Sequence, residues 1–131
     1  MKSMSFICLL LVICLLPLGS GCGSSDGVGC TANIVDGIVV SVVDAVTHAP
    51  IAAGAVGTIQ DGSFTGTLSP FSFDASGNTI ALAGAQERTG TYTVRIEKTG
   101  YMPYVMPNVT VTKNVCHVNT VALTAQLQPA P

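Results

Sequence analysis

Seven consecutive residues, Thr91-Tyr92-Thr93-Val94-Arg95-Ile96-Glu97, alternate polar and apolar without a break. Extended backbone points successive side chains to opposite faces. The run therefore presents Tyr92, Val94 and Ile96 to one side and Thr93, Arg95 and Glu97 to the other. No helical period competes with this pattern after residue 22; short β-rich runs recur instead, separated by turn residues. Residues 38–43 form a β-branched run that could be buried on both faces, and 55–59 reads as the next strand. Asp61-Gly62 marks a turn before 64–68, which alternates again. Residues 70–78 read as a loop or irregular connection, with Ser76-Gly77-Asn78 as its turn, and 79–83 as a further strand. Gly100 turns the chain into 101–106, an edge strand by its tolerance of Pro103. A short alternating run follows at 109–112. The last run, 121–127, puts Val121, Leu123, Ala125 and Leu127 on one face. Seven or so strands in about 110 residues predict an all-β, seven-stranded antiparallel sandwich.

The first 22 residues carry a different message. Lys2 and the α-amine supply positive charge, and an uninterrupted apolar run follows at 6–16, closed by Pro17. Eleven helical residues reach about 16 Å, roughly half of a bilayer core of about 30 Å. This length predicts a signal-peptide helix that is cleaved and does not span. Leu18-Gly19-Ser20-Gly21-Cys22 resembles the lipobox of bacterial lipoproteins, in which small residues precede a cysteine that is acylated and becomes N-terminal. Gly19 departs from that pattern, which has Leu there, and Leu18 stands one residue early. The resemblance implies a signal peptide over 1–21 and lipidation at Cys22, with a flexible Gly/Ser tether over 22–33. The expected location is the cell envelope, lipid-anchored at the outer membrane or cell surface. An ordinary secretory signal with a chance cysteine is the alternative.

Cysteine parity agrees with lipidation. Five cysteines are present; Cys8 and Cys14 leave with the signal peptide, and Cys22 takes the lipid. Cys30 and Cys116 remain, and two thiols in an oxidising compartment are expected to pair. Cys116-His117 lacks the second ligand pair that a tetrahedral metal site requires, so no metal is expected.

Two stretches carry a family resemblance. Val42-Val43-Asp44-Ala45-Val46-Thr47-His48-Ala49-Pro50-Ile51-Ala52-Ala53-Gly54-Ala55-Val56 resembles the opening of the carboxypeptidase regulatory-like domain. That opening is a strand ending in Asp, a Thr-Gly turn, Pro before an aliphatic residue, Gly-Ala, and the next strand. Gly90-Thr91-Tyr92-Thr93-Val94-Arg95-Ile96, followed by Gly100-Tyr101, resembles its second motif. The chain departs from the pattern at His48, where the family's turn usually has Gly, and at Ala53-Gly54. The resemblance spans 34–127, leaves 128–131 as a tail, and implies a seven-stranded prealbumin-like, Ig-like sandwich. It also implies a non-catalytic module.

Charge and motif content narrow the function classes. With a net charge of −2 and four Lys or Arg residues after Lys2, no basic face is available for nucleic acid. No His-x-His or clustered oxygen-ligand run is present, so neither an enzyme nor a cofactor is expected. Asp36, Asp61 and Asp74 sit beside turns, where side-chain hydrogen bonds to the backbone account for them. The expected function is an interaction or structural module of the envelope, touching the membrane through its lipid. A protein partner or a glycan would meet Phe71, Phe73, Tyr101 and Tyr104. A sandwich binding carbohydrate or a small ligand is the alternative, and Phe71 and Phe73 with Tyr101 and Tyr104 would serve it too.

Overall fold

The computed structural model describes residues 27–131. Seven strands follow one another: β1 (Asp36–Asp44), β2 (Val56–Asp61), β3 (Phe64–Phe73), β4 (Thr79–Gln86), β5 (Gly90–Glu97), β6 (Tyr104–Val111) and β7 (Val121–Leu127). They hydrogen-bond in the order β6-β5-β2-β3-β4-β1-β7, and the two outermost strands touch, so the sheet nearly closes into a barrel.

The expected antiparallel arrangement is corrected at one edge, because β1 and β7 run parallel, with Ile38 opposite Val121 and Asp44 opposite Leu127. Strand β6 ends beside the start of β5, at the pole where β1 begins. The 112–120 segment then leads into β7 in the direction of β1. A second correction concerns 70–73, expected as part of a loop. These residues continue β3, with Pro70 opposite Leu82 and register shifts on either side of Ser72. Proline donates nothing to a ladder, and the irregular register accommodates it. The runs at 101–106 and 109–112 merge into the single strand β6, which keeps its edge position and so tolerates Pro107.

β3 is divided lengthwise. Residues 64–68 pair with β2 and residues 69–73 pair with β4, so beyond Ser69–Ala83 the two strands part. Leu68 sits where they diverge, and two glycines make room for it. A Cβ on Gly57 would lie 2.8 Å from Leu68 Cδ1, and one on Gly84 would lie 2.8 Å from Cδ2.

The core takes the faces that alternation assigns in β5 and β7, where Tyr92, Val94 and Ile96, and Ala125 and Leu127, are fully buried. Strand β1, expected to be buried on both faces, buries one: Ile38, Val40 and Val42 are fully buried, whereas Ser41 is exposed and Val39 and Val43 are half-buried. Each large apolar side chain removed from water contributes about 1.5–3 kcal/mol. Register fixes two poles. The near pole collects the segment before β1, the 86–90 turn and the 112–120 segment, as Asp36–Gln86, Gly90–Val111 and Ile38–Val121 lie opposite one another. The far pole collects 44–56, 97–104 and the C-terminal residues. There Met102 N donates to the Gln128 carbonyl and Ala130 N to the Gly100 carbonyl.

Candidate contact surface

Strand geometry brings Phe71 and Phe73 to the outside of the sheet, where both are about half exposed. They flank Ser72, and the irregular pairing of Pro70 to Phe73 against β4 holds this part of β3. Phe71 borders two depressions. One, of about 540 Å³, opens where β3 and β4 part, and Gly66, Gly84, Gln86, Asp36 and Arg88 line it. The other, of about 500 Å³, is lined by Ile34, Val39, Asn33 and Thr120. The neighbouring outer face is small and uncharged: Ser69 lies opposite Ala83, Ala83 opposite Val39, and Val39 opposite Ala122.

Tyr101 and Tyr104 do not join this surface. Tyr101 lies at the far pole, beside a separate depression of about 320 Å³ that also contains Lys98 and Glu97. Its hydroxyl donates to Asp44 Oδ2 at 2.9 Å. The other Asp44 oxygen accepts from Val46 N at 2.7 Å and Thr47 N at 2.8 Å. The Thr47 and Val46 amides, then Tyr101, favour the ionised carboxyl and hold Asp44 below its usual range. The same carboxylate raises the Tyr101 phenol, and burial raises that of Tyr104. Tyr104 packs half-buried against the core. Of the four aromatics, two are spent on internal contacts.

Cys30 and Cys116 form a disulfide at the near pole, with Cα atoms 5.2 Å apart. A side-chain chain stands beside it. His117 Nδ1 lies 2.7 Å from Glu87 Oε1, and Nε2 lies 3.1 Å from the Thr31 hydroxyl. Glu87 also accepts from Val35 N at 2.9 Å and Val118 N at 3.3 Å. The Val35 amide and then His117 hold the Glu87 carboxyl below its usual range. Glu87 makes these contacts from a left-handed backbone, φ 48°. Cross-link and Glu87 together fasten the segment that precedes β1.

Arg88 went unnoticed in the sequence. Its guanidinium carbon lies 3.8 Å from the centroid of the Phe64 ring, and Nη1 donates to Asp61 Oδ2 at 3.0 Å and to the Tyr92 hydroxyl at 2.7 Å. Tyr92 and then Asp61 strengthen its hold on the proton. The Tyr92 hydroxyl donates in turn to the Arg88 carbonyl at 3.0 Å. Four residues of sequence separate this Tyr and Arg, which is the only local signal. Among the described residues, no three His, Cys, Asp or Glu side chains gather as a metal site. The apolar run, the cleavage region and Cys22 lie outside the described residues.

No protein-family model matches the chain, and no curated protein is significantly similar to it.

Proposed function

We propose that the chain is a non-catalytic, lipid-anchored module of the cell envelope that works by contact through the Phe71–Phe73 part of β3. The observation carrying this reading is the contrast among its aromatics. Phe71 and Phe73 stand exposed on an uncharged stretch of sheet, whereas Tyr101 and Tyr104 are engaged within the domain. Large rigid side chains beside depressions are the usual anchors of binding energy. The reading includes a carboxypeptidase regulatory-like, prealbumin-like sandwich. Two hydrogen bonds support it. Asp44, which ends the strand of the first motif, meets Tyr101, closing the second, across 57 residues of sequence. The Tyr92 hydroxyl reaches back to the backbone four residues upstream, as a tyrosine corner does in Greek-key sandwiches. The division of β3 between β2 and β4 agrees with two layers.

Anchoring rests on the lipobox-like Ser20-Gly21-Cys22 and on the disulfide, which leaves no thiol from the exported part unaccounted for except Cys22. Intact mass of the membrane-fraction protein tests it: an acyl mass on a chain beginning at Cys22 is expected. For contact, Phe71→Ala with Phe73→Ala is compared with Tyr104→Ala in cross-linking on intact cells, alongside a glycan array. Loss of the adduct in the first variant alone is expected. Retention of every adduct by a folded double variant rejects the surface. Glycan binding lost with Phe71 favours the carbohydrate alternative.

A further inference from the structure

The near pole exposes apolar side chains that the core does not use. Val115 is 79% exposed, Ile34 70% and Val28 64%. The disulfide brings them together, since Val28 and Ile34 flank Cys30 in sequence and Val115 precedes Cys116, with the two Cα atoms 5.2 Å apart. Ile34 then lines the depression that runs to Phe71, itself half exposed. At this pole Asp61 pairs with Arg88 and Glu87 hydrogen-bonds His117, while Asp36, beside Ile34 in that depression, makes no ion pair among the described residues. Lys113, two residues from Val115, makes no ion pair among the described residues. Three isolated apolar side chains would need no explanation. Here they surround the point at which the chain leaves for Cys22.

We infer that the near pole seats on the lipid surface, with Val28, Ile34 and Val115 immersed among acyl chains and Lys113 at the phosphate level. This rests on the acylation of Cys22 proposed above. Eight residues from Cys22 to Cys30 span at most about 28 Å when fully extended. A domain of roughly 100 residues has a radius of gyration of about 13 Å and is comparably wide. The disulfide pole is thus held beside the membrane, and each excursion of its apolar groups reaches lipid at high effective concentration. Interfacial apolar groups bury about 5–10 Å deep, and a lysine stem can lie along them with its ammonium in the headgroups. The far pole also exposes apolar residues, Val46 and Met102 among them, but the tether holds the opposite end. Seating in this orientation leaves Phe73 and the small-residue face of the sheet standing clear of the bilayer for a partner.

The chain has no tryptophan, so a single introduced one reports its own surroundings. Val115→Trp and Val46→Trp replace exposed residues at the two poles of the full, signal-bearing chain. Each protein is purified from membranes, its acyl mass checked, and reconstituted into phosphatidylethanolamine–phosphatidylglycerol vesicles with and without brominated acyl chains. Val115→Trp is expected to show blue-shifted emission and to lose most of it to the brominated lipid. Val46→Trp is expected to keep solvent-like, unquenched emission. Adding Ile34→Asp to the Val115→Trp protein is expected to restore most of the lost emission. An acylated protein in which Val115→Trp stays unquenched, or both reporters are quenched alike, overturns the seating and leaves the anchor standing. Quenching that ignores Ile34→Asp also overturns it, since the introduced indole would then be seating itself. A mature protein without acyl mass overturns anchor and seating together.

Discussion

His48 is held in a left-handed conformation, φ 59°, in the turn that follows β1. An L side chain there crowds the neighbouring carbonyl by about 1–2 kcal/mol, which glycine avoids. Glycine returns part of this gain through the entropy of its unfolded chain, about 0.4–1 kcal/mol. His48→Gly is therefore expected to stabilise the domain by about 0.5–1 kcal/mol, a rise in Tm of roughly 2–5 °C. Calorimetry checks it, and a lower Tm would mean that the imidazole has a contact in solution that offsets the strain. The carboxyls of Asp44, Asp74 and Glu87 add a pH dependence. Backbone amides and neighbouring side chains depress all three, Asp74 chiefly through Asn78. A depressed folded-state carboxyl contributes stability that is fully present above its unfolded value near 4 and is lost as pH falls through the folded value. Tm is expected to be flat from pH 7 to about 5 and to fall below about 4. Asp44→Asn, which keeps an acceptor for the Val46 and Thr47 amides, is expected to weaken that fall; an unchanged acid limb places the dependence elsewhere.

At the scale of elements, one side chain, Leu68, fills the place where β3 and β4 part. A methyl group on Gly84 would lie 2.8 Å from Leu68 Cδ2 and 3.1 Å from the Thr67 carbonyl oxygen. Overpacking of this kind costs about 1–3 kcal/mol. Leu68→Ala alone is expected to cost about 2–4 kcal/mol. Combined, the two changes relieve the contact with Leu68 but not the one with Thr67. Their sum is then expected to exceed the measured double-variant loss by about 1 kcal/mol, read from urea unfolding. Strict additivity would show that the strands adjust around the new methyl group.

Element positions were largely legible, because a half-buried strand writes its face into alternation, as Tyr92, Val94 and Ile96 do. Pro70 hid the second half of β3, although Phe71 and Phe73 already stood two residues apart. The parallel pairing of β1 with β7 was illegible, since no residue pattern distinguishes a parallel from an antiparallel neighbour once one face is buried. The candidate surface was half legible for a related reason. Side-chain size marked four aromatics, but the Asp44–Tyr101 bond that removes one of them joins residues 57 apart. The disulfide was readable from parity once Cys8, Cys14 and Cys22 were set aside as signal and lipid positions. The Glu87–His117–Thr31 chain beside it was not, because its members come from three segments.

For the whole molecule, the cross-link decides how much stability the core must supply. Cys30 and Cys116 close a loop of 86 residues, nearly all of the strand-bearing chain. On the chain-entropy account, that closure restricts the unfolded ensemble by about 4–5 kcal/mol. A domain of this size has a net stability of about 5–15 kcal/mol, so the bond is a large part of the total. The near pole holds a second fastening in Glu87, which grips Val35, Val118 and His117 without help from the disulfide. Cys116→Ser is thus expected to lower stability by about 4 kcal/mol while leaving the strand order intact. Glu87→Gln, made on the reduced background, should then matter more than in the oxidised protein, because it removes the remaining hold on the segment before β1. Hydrogen exchange at the Val35 and Val118 amides measures this directly. Faster exchange at both amides in Cys116→Ser, with β5 still protected, is the expected pattern. Equal loss of protection across β5 and the near pole would mean that the disulfide holds up the whole sheet and not its entry segment.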